Sequence, residues 1–476
     1  MSGHDLATRD LAATRILILN WRDNRHPQAG GAEQYMYEIA RRWVAAGAVV
    51  TWFSATVEGR PGKEVTGGIR FIRSGGDLTV YLKAAAYLVR ASDEFDIVVD
   101  CQNGIPFFSP IFARSGTPIV QVIHHVHQDQ FATRFSAPLA TLGRLLEGPM
   151  ARRVYGPRAI AAVSPSTRLE VRTRLRFPAP IFVVPNGSID VPAMTGPRDP
   201  HPTVAVVSRL VPHKRLDLLL GEIAVATRQI PNLRVDLVGD GAERSRLEGL
   251  VTDLGLRDTV TVHGYLPAAE RDALLSRAWL TASTSAAEGW GCSIIEAAAW
   301  GIPCLALRVP GIRDAVLHGS TGWLVDRPEQ FAPTLVSVLA ELADEERARE
   351  VAEACQAWAR CFTWDRTADL LAGVLLAETR APSVNRRAER RIARADIATL
   401  ATFATPEGDE LRSRLRATDQ ISRHGADTVL LLNGCDEFDA ATLLRRLGIV
   451  DAEIRLADRH DLLAGPSADA ASVGRP

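Results

Sequence analysis

Two glutamates with seven residues between them, Glu288 and Glu296, are the first side chains in this sequence that could do chemistry together. They lie in the stretch EGWGCSIIE, where glycines follow the first glutamate and a helical pattern begins near Cys292. A glycine-rich loop ahead of a helix exposes backbone N–H groups, which suit an anionic or hydroxyl-rich ligand. Glutamates at this spacing are also typical of a solvated helix start, so the stretch alone supports both interpretations.

Two cations, Arg209 and Lys214, follow a strand in the stretch SRLVPHKR. Lys214 is one of only three lysines in a chain that otherwise uses arginine. A guanidinium offers a forked donor and an ammonium offers a point charge, and this combination suits a diphosphate. A solvated loop is the alternative interpretation of the same residues.

A pair of glycines, Gly30 and Gly31, lies between a strand and a helix in the stretch QAGGAEQ. Glycine lets the backbone approach a ligand closely, and the first N–H groups of a helix have no partner within it. The loop is therefore a candidate anion site, with a tight strand-to-helix turn as the alternative.

Three histidines, His124, His125 and His127, cluster where the strand TPIVQVIHH ends. The carboxyl end of a strand is where a functional histidine lies in a wound α/β sheet. Three imidazoles also suggest a metal, but they fall in a strand-to-loop turn without an accompanying set of carboxylates. The sequence therefore favours a functional histidine at His124 and predicts no metal site.

These side chains need a scaffold, and the chain supplies alternating strands and helices. Continuous Val/Ile runs separated by helical patterns indicate parallel sheets that are covered on both faces. One series runs from RILILNW to IFVVPNG, and a second runs from TVAVVSRL to IPCLALR, with a proline-rich linker between them. We predict an α/β fold with two doubly wound, Rossmann-like domains facing a cleft, plus a small C-terminal α/β appendage.

The predicted helix over 364–379 is expected to close the second domain, and a strongly basic segment, NRRAERRIARA, follows it. In the appendage the pattern predicts a helix over 408–416, a strand over 427–434, a helix over 440–447 and one further short strand. The predicted boundaries are 1–190 and 200–365 for the two domains, 366–381 for the closing helix, 382–396 for the basic linker, 397–463 for the appendage and 464–476 for a disordered tail.

Bulk properties exclude several classes of protein. The formal net charge of -1 over 476 residues gives no indication of nucleic-acid binding. The polar first residues do not resemble a signal peptide, and no apolar run is long enough to span a bilayer. The six cysteines form no CxxC pair, which is typical of reduced thiols. We therefore expect a cytoplasmic protein, compatible with peripheral contact at the inner membrane face.

Taken in order, these motifs resemble glycosyltransferase family 4, the retaining glycosyltransferases of GT-B fold. The resemblance extends from Arg15 to Thr379 and is carried by the GGAE loop, the strand-end histidine, AVSPSTR, VVPNG, SRLVPHK, LVGDG, VHGYL and EGWGCSIIEAAAWGIP. It implies transfer of a sugar from a UDP-, GDP- or ADP-sugar to a glycan or lipid-linked acceptor, in polysaccharide or glycolipid biosynthesis. It also implies retention of anomeric configuration, without a metal or other cofactor. A sugar-nucleotide epimerase and a non-catalytic sugar-nucleotide-binding protein are the alternatives.

The resemblance implies roles for the matching residues. The catalytic residues would be Glu288 at the donor sugar, His124 near the transferred sugar and acceptor, and Arg209 with Lys214 at the diphosphate. Asn186 and Gly187 would lie near the domain junction. The other donor-binding residues would be Gly30 and Gly31 at the diphosphate, the N–H groups of Gly289, Trp290 and Gly291 at the sugar, and Glu296 at the ribose.

Two features depart from the family pattern. Trp290 replaces a more usual phenylalanine and is expected to reshape the sugar pocket, while Cys292 and Ser293 replace apolar residues, so donor identity does not carry over. The basic segment lies outside the resemblance. A solvated helix face and a docking site for anionic lipid or a partner are its two interpretations.

Overall fold

The computed structural model describes residues 6–131, 136–192, 197–380, 396–404 and 411–466. The chain forms two compact units. The first unit contains the chain up to Gly187 and the chain from Thr363 onward. The second unit runs from Ser188 to Phe362. Most of the basic linker 382–396 and the tail beyond residue 466 lie outside the described residues.

The described part of the first unit contains an eight-stranded sheet in the order β3-β4-β2-β1-β5-β6-β7-β8. All neighbouring strands in it are parallel except β3 and β4. The central strands are rich in Val, Ile and Leu because both faces of the sheet are buried there. They are β1 (Arg15–Leu19), β2 (Val49–Ser54), β3 (Lys63–Thr66), β4 (Ile69–Arg73), β5 (Ile97–Gln102), β6 (Ile119–Ile123), β7 (Ile160–Ala162) and β8 (Ile181–Val183).

Helices connect these strands and bury one apolar face each. In α2, for example, Tyr35, Ile39 and Trp43 lie four residues apart and are fully buried. The helices are α1 (Leu6–Arg9), α2 (Gly31–Ala45), α3 (Val80–Arg90), α4 (Ser109–Phe112), α5 (Ala137–Leu145), α6 (Ala151–Tyr155) and α7 (Pro165–Thr173), with a π-turn (Leu146–Met150) joining α5 to α6.

The second unit repeats the wound pattern on a parallel sheet. Strands β9, β10 and β11 form one part of the sheet, and β12, β13 and β14 form the other. A parallel bridge between Val204 and Leu280 joins the two parts, so that β9 and β12 are neighbours at the centre. The strands are β9 (Thr203–Val207), β10 (Arg234–Val238), β11 (Val260–Gly264), β12 (Thr281–Ser283), β13 (Cys304–Leu307) and β14 (Gly322–Val325).

The helices of the second unit lie between these strands and after the last of them. They are α8 (Leu216–Ala226), α9 (Arg244–Asp253), α10 (Ala268–Leu275), α11 (Cys292–Ala299), α12 (Ile312–Ala315), α13 (Phe331–Glu341) and α14 (Glu345–Arg360), with 3-10 turns at Pro212–Lys214 and Pro328–Gln330. The two Rossmann-like units confirm the predicted α/β class and the GT-B fold.

The helix that was expected to close the second domain, α15 (Trp364–Thr379), packs in the first unit instead. The indole Nε1 of Trp43 donates to the carbonyl oxygen of Ala368 at 3.1 Å, and the backbone N–H of Thr8 donates to Asp369 Oδ1 at 3.0 Å. The expectation was wrong because an apolar helix face shows that a helix must pack, but does not show against which sheet.

The appendage also belongs to the first unit, and it is an antiparallel sheet in the order β16-β17-β15-β18. Arg366 on α15 ties it down by donating to the carbonyl oxygen of Leu463 and to Gln420 Oε1 at 2.5 and 3.1 Å. Its elements are β15 (Ala398–Ala404), β16 (Gln420–His424), β17 (Asp427–Asn433), α16 (Glu437–Arg446), β18 (Ala452–Leu456) and α17 (Arg459–Ala464).

The appendage departs from the sequence prediction in three places. The helix predicted over 408–416 is a 3-10 turn at Arg412–Arg414 in its described part, and residues 408–410 lie outside it. Strands β15 and β16 were missed because their alternating Ala, Thr and polar residues give a weak pattern. The predicted disordered tail begins at Ala464, which is buried at the end of α17. Within the described residues, no helix has the length and apolar character needed to cross a membrane.

Candidate active site

The centre of the second-unit sheet is the point where its connections change direction. From β9 the chain winds outward through β10 to β11, and from β12 it winds the other way through β13 to β14. Loops that follow two such strands diverge at the carboxyl edge and leave a crevice between them, where ligands of wound α/β sheets bind. Lys214 follows β9 and Glu288 follows β12, so the topology brings these two predicted residues to the same edge.

Lys214 and Glu288 form an ion pair, in which Lys214 Nζ donates to Glu288 Oε1. Both side chains are less than one-fifth exposed, at 19% and 17%. Two hydrogen bonds hold their loops together. The Thr284 hydroxyl donates to the carbonyl oxygen of Arg215 at 2.9 Å, and the backbone N–H of Ala286 donates to the carbonyl oxygen of His213 at 2.9 Å. The sequence placed both residues at the donor but did not anticipate their contact.

Gly311 fixes the position of the Glu288 loop from the opposite side. It has a φ of +78°, and a Cβ on it would lie 2.3 Å from the carbonyl oxygen of Glu288. Any larger residue would push the Glu288 backbone away, and a positive φ is itself costly for residues other than glycine. The chain after β13 thus constrains the position of the Glu288 backbone.

Arg209 lies on the exposed part of the loop after β9. Its carbonyl oxygen accepts from the N–H of Val211 at 3.0 Å, which turns the chain toward Lys214. Within the described residues the guanidinium has no hydrogen-bond or ion-pair partner. Arg209 therefore presents a fully available fork of donors at the strand end where the sequence predicted it.

Helix α11 begins directly after Gly291, and no described side chain caps its N terminus. Glu296 lies in the second turn of this helix and is half-buried, without a hydrogen-bond partner in the described part of the chain. Burial raises the pKa of the Glu296 carboxyl above its usual value, and the charge of Arg271 opposes that shift. A carboxylate in this setting gains from any hydroxyl group that donates to it.

The ring of Trp290, the residue that departs from the family pattern, lies in an aromatic cluster. It is buried, with 6% of its surface exposed, and packs against Phe362 at a centroid distance of 5.1 Å. Phe362 in turn lies edge-on to Trp358 at 4.9 Å. The larger ring is accommodated in this aromatic cluster, which leaves the backbone N–H as the part of Trp290 that can serve the loop.

The first unit has its own change of winding direction, between β1 and β5. Asn20 follows β1 and Asn103 follows β5, and Asn103 Nδ2 donates to Asn20 Oδ1 at 2.8 Å. The Nδ2 of Asn20 is buried without a described partner. Neither asparagine was predicted as a site residue, although each directly follows a strand, which was the available signal. His124 follows β6, the next strand in the sheet.

His124 is held as a neutral imidazole. Burial lowers its pKa to about 3, and the neighbouring His127 adds to the effect. Its ring lies edge-on to Tyr35 at a centroid distance of 4.8 Å, and its Nε2 is buried without a described hydrogen-bond partner. A neutral ring nitrogen in this state can accept from or donate to a ligand hydroxyl, depending on the tautomer.

A buried glutamate that the sequence analysis missed, Glu147, fixes the loop after His124. Its Oε1 accepts from the backbone N–H of His127 at 2.6 Å and its Oε2 from Gln128 Nε2 at 2.7 Å. The His127 ring Nδ1 lies 3.3 Å from the same carboxylate. Glu147 belongs to the π-turn between α5 and α6, an irregularity often found at functional sites.

The Gly30–Gly31 loop is held by Glu33 in the first turn of α2. The Gly30 N–H donates to Glu33 Oε2 at 2.7 Å, and Arg22 Nε donates to Glu33 Oε1 at 3.1 Å. Gly31 itself is exposed at the helix N terminus. The loop has the form that the sequence predicted, and one buried carboxylate both shapes it and neutralises a nearby cation.

Gly187, expected near the junction, is the last residue of the first unit before the chain crosses. A Cβ on it would lie 2.6 Å from the backbone nitrogen of Trp364, the second residue after the chain returns. In the described ranges, no group of three or more His, Cys, Asp and Glu side chains is arranged to hold a metal ion.

The chain matches two family models in succession. Residues 29–192 match the model described as Glycosyltransferase Family 4, and residues 191–356 match the model described as Glycosyl transferases group 1. The two matches, one after the other along the chain, therefore support the family that the motifs indicate.

Two curated relatives match about a third of the chain. A D-inositol 3-phosphate glycosyltransferase of Segniliparus rotundus is 37% identical over 173 residues, which cover 35% of this chain and 38% of that protein. A GDP-mannose-dependent alpha-(1-6)-phosphatidylinositol monomannoside mannosyltransferase of Mycolicibacterium smegmatis is 32% identical over 185 residues, 36% of this chain and 48% of that protein. The matched segment thus spans less than half the length of either relative.

A solved structure matches the fold over most of the chain. Sucrose-phosphate synthase from Thermosynechococcus elongatus superposes with a TM-score of 0.63 at 21% identity, covering 77% of this chain and 98% of that one. At this level of identity the likeness concerns the fold.

Proposed function

Because the chain belongs to glycosyltransferase family 4, we propose that it transfers a sugar from a nucleotide-sugar donor to a hydroxyl-bearing acceptor. The observation that carries this proposal is the meeting of Lys214 and Glu288 at the central crevice edge of the second-unit sheet, beside the uncapped start of α11. One cation, one carboxylate and a helix N terminus at one edge can bind the diphosphate and the hydroxyl groups of a single extended donor.

The second unit would bind the donor in three parts. Arg209 and Lys214 would hold the diphosphate, Glu296 would accept from the ribose hydroxyls, and Glu288 would contact the sugar. Breaking the bond between the anomeric carbon and the phosphate oxygen builds negative charge on the leaving diphosphate, which preorganised cations stabilise. The free guanidinium of Arg209 supports this role, since its charge is not already committed to a carboxylate.

We propose a retaining reaction in which the protein's own cations, and not a metal ion, offset the charge of the leaving group. The acceptor oxygen bonds to the anomeric carbon on the face that the diphosphate leaves, and its proton passes to a phosphate oxygen. His124 is neutral, so its role would be a hydrogen bond to a sugar hydroxyl rather than a positive charge.

The first unit would bind the acceptor. Asn20, Asn103 and His124 follow three adjacent strands and include buried polar atoms without described partners, which favours an acceptor rich in hydroxyl groups. The two curated relatives carry inositol phosphate and phosphatidylinositol mannoside in their names. A polyol or sugar head group, free or carried on a lipid, is the acceptor class that we propose.

The test is a screen of the purified protein with UDP-, GDP- and ADP-sugars. Thermal shift reports donor binding, and release of nucleoside diphosphate reports hydrolysis or transfer. A response to one nucleotide class supports the proposal, and no response to any of the three refutes it. A protein that binds a donor but neither hydrolyses nor transfers it, with Lys214→Ala changing only binding, would instead be a non-catalytic sensor.

A further inference from the structure

A surface of the first unit exposes apolar side chains in a regular pattern. We call residues 136–154, which comprise α5, the π-turn and most of α6, the leucine surface. Leu139, Leu142 and Leu145 recur every third residue along α5 and are 56%, 48% and 46% exposed, and Met150 on the π-turn is 40% exposed. Residues at this spacing lie on one side of a helix, so the apolar side chains form a stripe and not scattered points.

The charges around this stripe are almost all positive. Arg144 and Arg153 are exposed on the leucine surface, whose only acid, Glu147, is buried. From Ser136 to Phe177 the chain has eight arginines and two acids, although the whole chain has 55 basic and 56 acidic residues. This segment is therefore strongly basic within a protein of nearly zero net charge.

Of the later arginines, Arg172 pairs with Asp396 at 2.8 Å, and the chain just after α7 lies against the leucine surface. Leu175, just after α7, packs beside Gly148 of the π-turn. The acids at this boundary are both paired: Arg174 bonds to Asp129 at 2.9 Å and to Glu170 at 3.0 Å. Arg176, exposed two residues further on, adds a cation next to the leucine surface.

We propose that the leucine surface docks on an anionic membrane. An exposed apolar helix stripe flanked by arginines, without an exposed acid on the leucine surface itself, has the composition of helices that lie in the lipid interface. The leucines would enter the boundary between head groups and acyl chains, and the arginines would contact anionic head groups. A second copy of the chain is a poorer occupant, because a two-fold contact through this surface would place its arginines against each other.

The docking surface is continuous with the acceptor residues of the first unit. Glu147 lies in the π-turn beneath the surface and binds the loop that follows His124 through the backbone of His127. A lipid-borne acceptor held at the membrane would therefore meet this loop from the side of the leucine surface. The docking itself does not depend on the proposed transfer reaction and can be measured without any sugar donor.

The experiment is co-sedimentation of the full chain with vesicles of phosphatidylglycerol and phosphatidylcholine, compared with vesicles of phosphatidylcholine alone. We expect binding to the anionic vesicles only. Leu139→Ser/Leu142→Ser should weaken partitioning by about tenfold or more, since two apolar side chains no longer leave water. Arg153→Gln/Arg176→Gln should weaken it by about fivefold for each charge removed.

Val450→Ser/Leu456→Ser is the matched control, since these side chains are 80% and 49% exposed on the appendage. It should bind vesicles like the parent chain. Thermal unfolding of each variant confirms that the fold is intact, and donor hydrolysis in the absence of vesicles should be unchanged in Leu139→Ser/Leu142→Ser. Failure of the proposed reaction would leave vesicle binding intact, so the two proposals fail separately.

Three results would overturn the docking proposal. The first is no binding to anionic vesicles, and the second is equal binding by the parent and by folded Leu139→Ser/Leu142→Ser. The third is a concentration-dependent dimer in light scattering that Leu139→Ser/Leu142→Ser dissociates while vesicle binding persists, which would make the surface a contact between two copies.

Discussion

Replacing Lys214 by alanine tests the central contact of the candidate site. Lys214 and Glu288 are 19% and 17% exposed, so the variant leaves a largely desolvated carboxylate without its cation. Breaking a fully buried pair costs about 3–5 kcal/mol, and breaking an exposed one costs about 0–1 kcal/mol. We expect the free energy of unfolding to fall by about 2 kcal/mol, between these limits.

The effect on catalysis should exceed the effect on stability. Loss of one preorganised group that stabilises developing charge typically lowers kcat by about 10²–10³. We therefore expect Lys214→Ala to lower kcat/KM for the donor by about 10²–10³ under conditions where the variant is fully folded. Release of nucleoside diphosphate measures this, and Lys83→Ala, which removes an exposed lysine on α3, is the control that should match the parent.

Glu288→Gln separates the charge of the pair from its geometry. Glutamine keeps an acceptor for the Lys214 ammonium but removes the competing negative charge. We expect nucleoside diphosphate to bind about tenfold more tightly, because the ammonium is no longer shared, while turnover falls. Isothermal titration measures the affinity. A folded Lys214→Ala variant with kcat/KM within threefold of the parent, or weaker diphosphate binding by Glu288→Gln, would refute the reasoning.

Three further predictions concern other residues. Glu296→Ala should weaken nucleotide binding about tenfold. Because burial raises the pKa of the Glu296 carboxyl above its usual 4.5, the parent protein should bind nucleotide more weakly as the pH is lowered and this carboxyl becomes protonated. Titrations at several pH values should show no such dependence for Glu296→Gln. His124→Gln should reduce turnover with acceptor. Because the pKa of His124 is about 3 in the folded protein, protonation of the unfolded chain lowers the stability of the parent by up to about 1.4 kcal/mol for each pH unit below about pH 6.5. Denaturant unfolding of His124→Gln should not show this loss. Gly187→Ala should lower the free energy of unfolding by about 1–3 kcal/mol, because the added methyl group would collide with Trp364. The control, Gly221→Ala, lies in α8 with open space around it and should be neutral or stabilising by up to about 1 kcal/mol. Equal unfolding midpoints for the two variants would contradict this.

Several candidate site residues could be proposed from the sequence because they follow strands. His124 and Arg209 come at or just after the ends of continuous apolar runs, with Lys214 in the same loop as Arg209, and parallel strands place their carboxyl ends at one edge. The GGAE loop could likewise be recognised from two glycines between a strand and a helix. Such local patterns are set by backbone propensity and burial, which the sequence encodes within a few residues.

The contacts that shape these residues could not be found in this way. Glu147 acts on the loop after His124 from about twenty residues away in sequence, and only folding brings the two together. The Trp290 ring packs against Phe362, 72 positions further along the chain, and no local pattern indicated this contact. Side-chain direction depends on which element packs opposite, and no local pattern specifies that.

The sequence by itself determined the α/β class, the two wound series and the strand ends that carry the candidate chemistry, because apolar periodicity and glycine placement act locally. Only the tertiary structure decided that the chain returns to the first unit at Thr363, that α15 and the appendage pack there, and that Lys214 meets Glu288. Each of these depends on long-range burial, in which an apolar face or a charged group selects among several possible partners by the free energy of the whole fold.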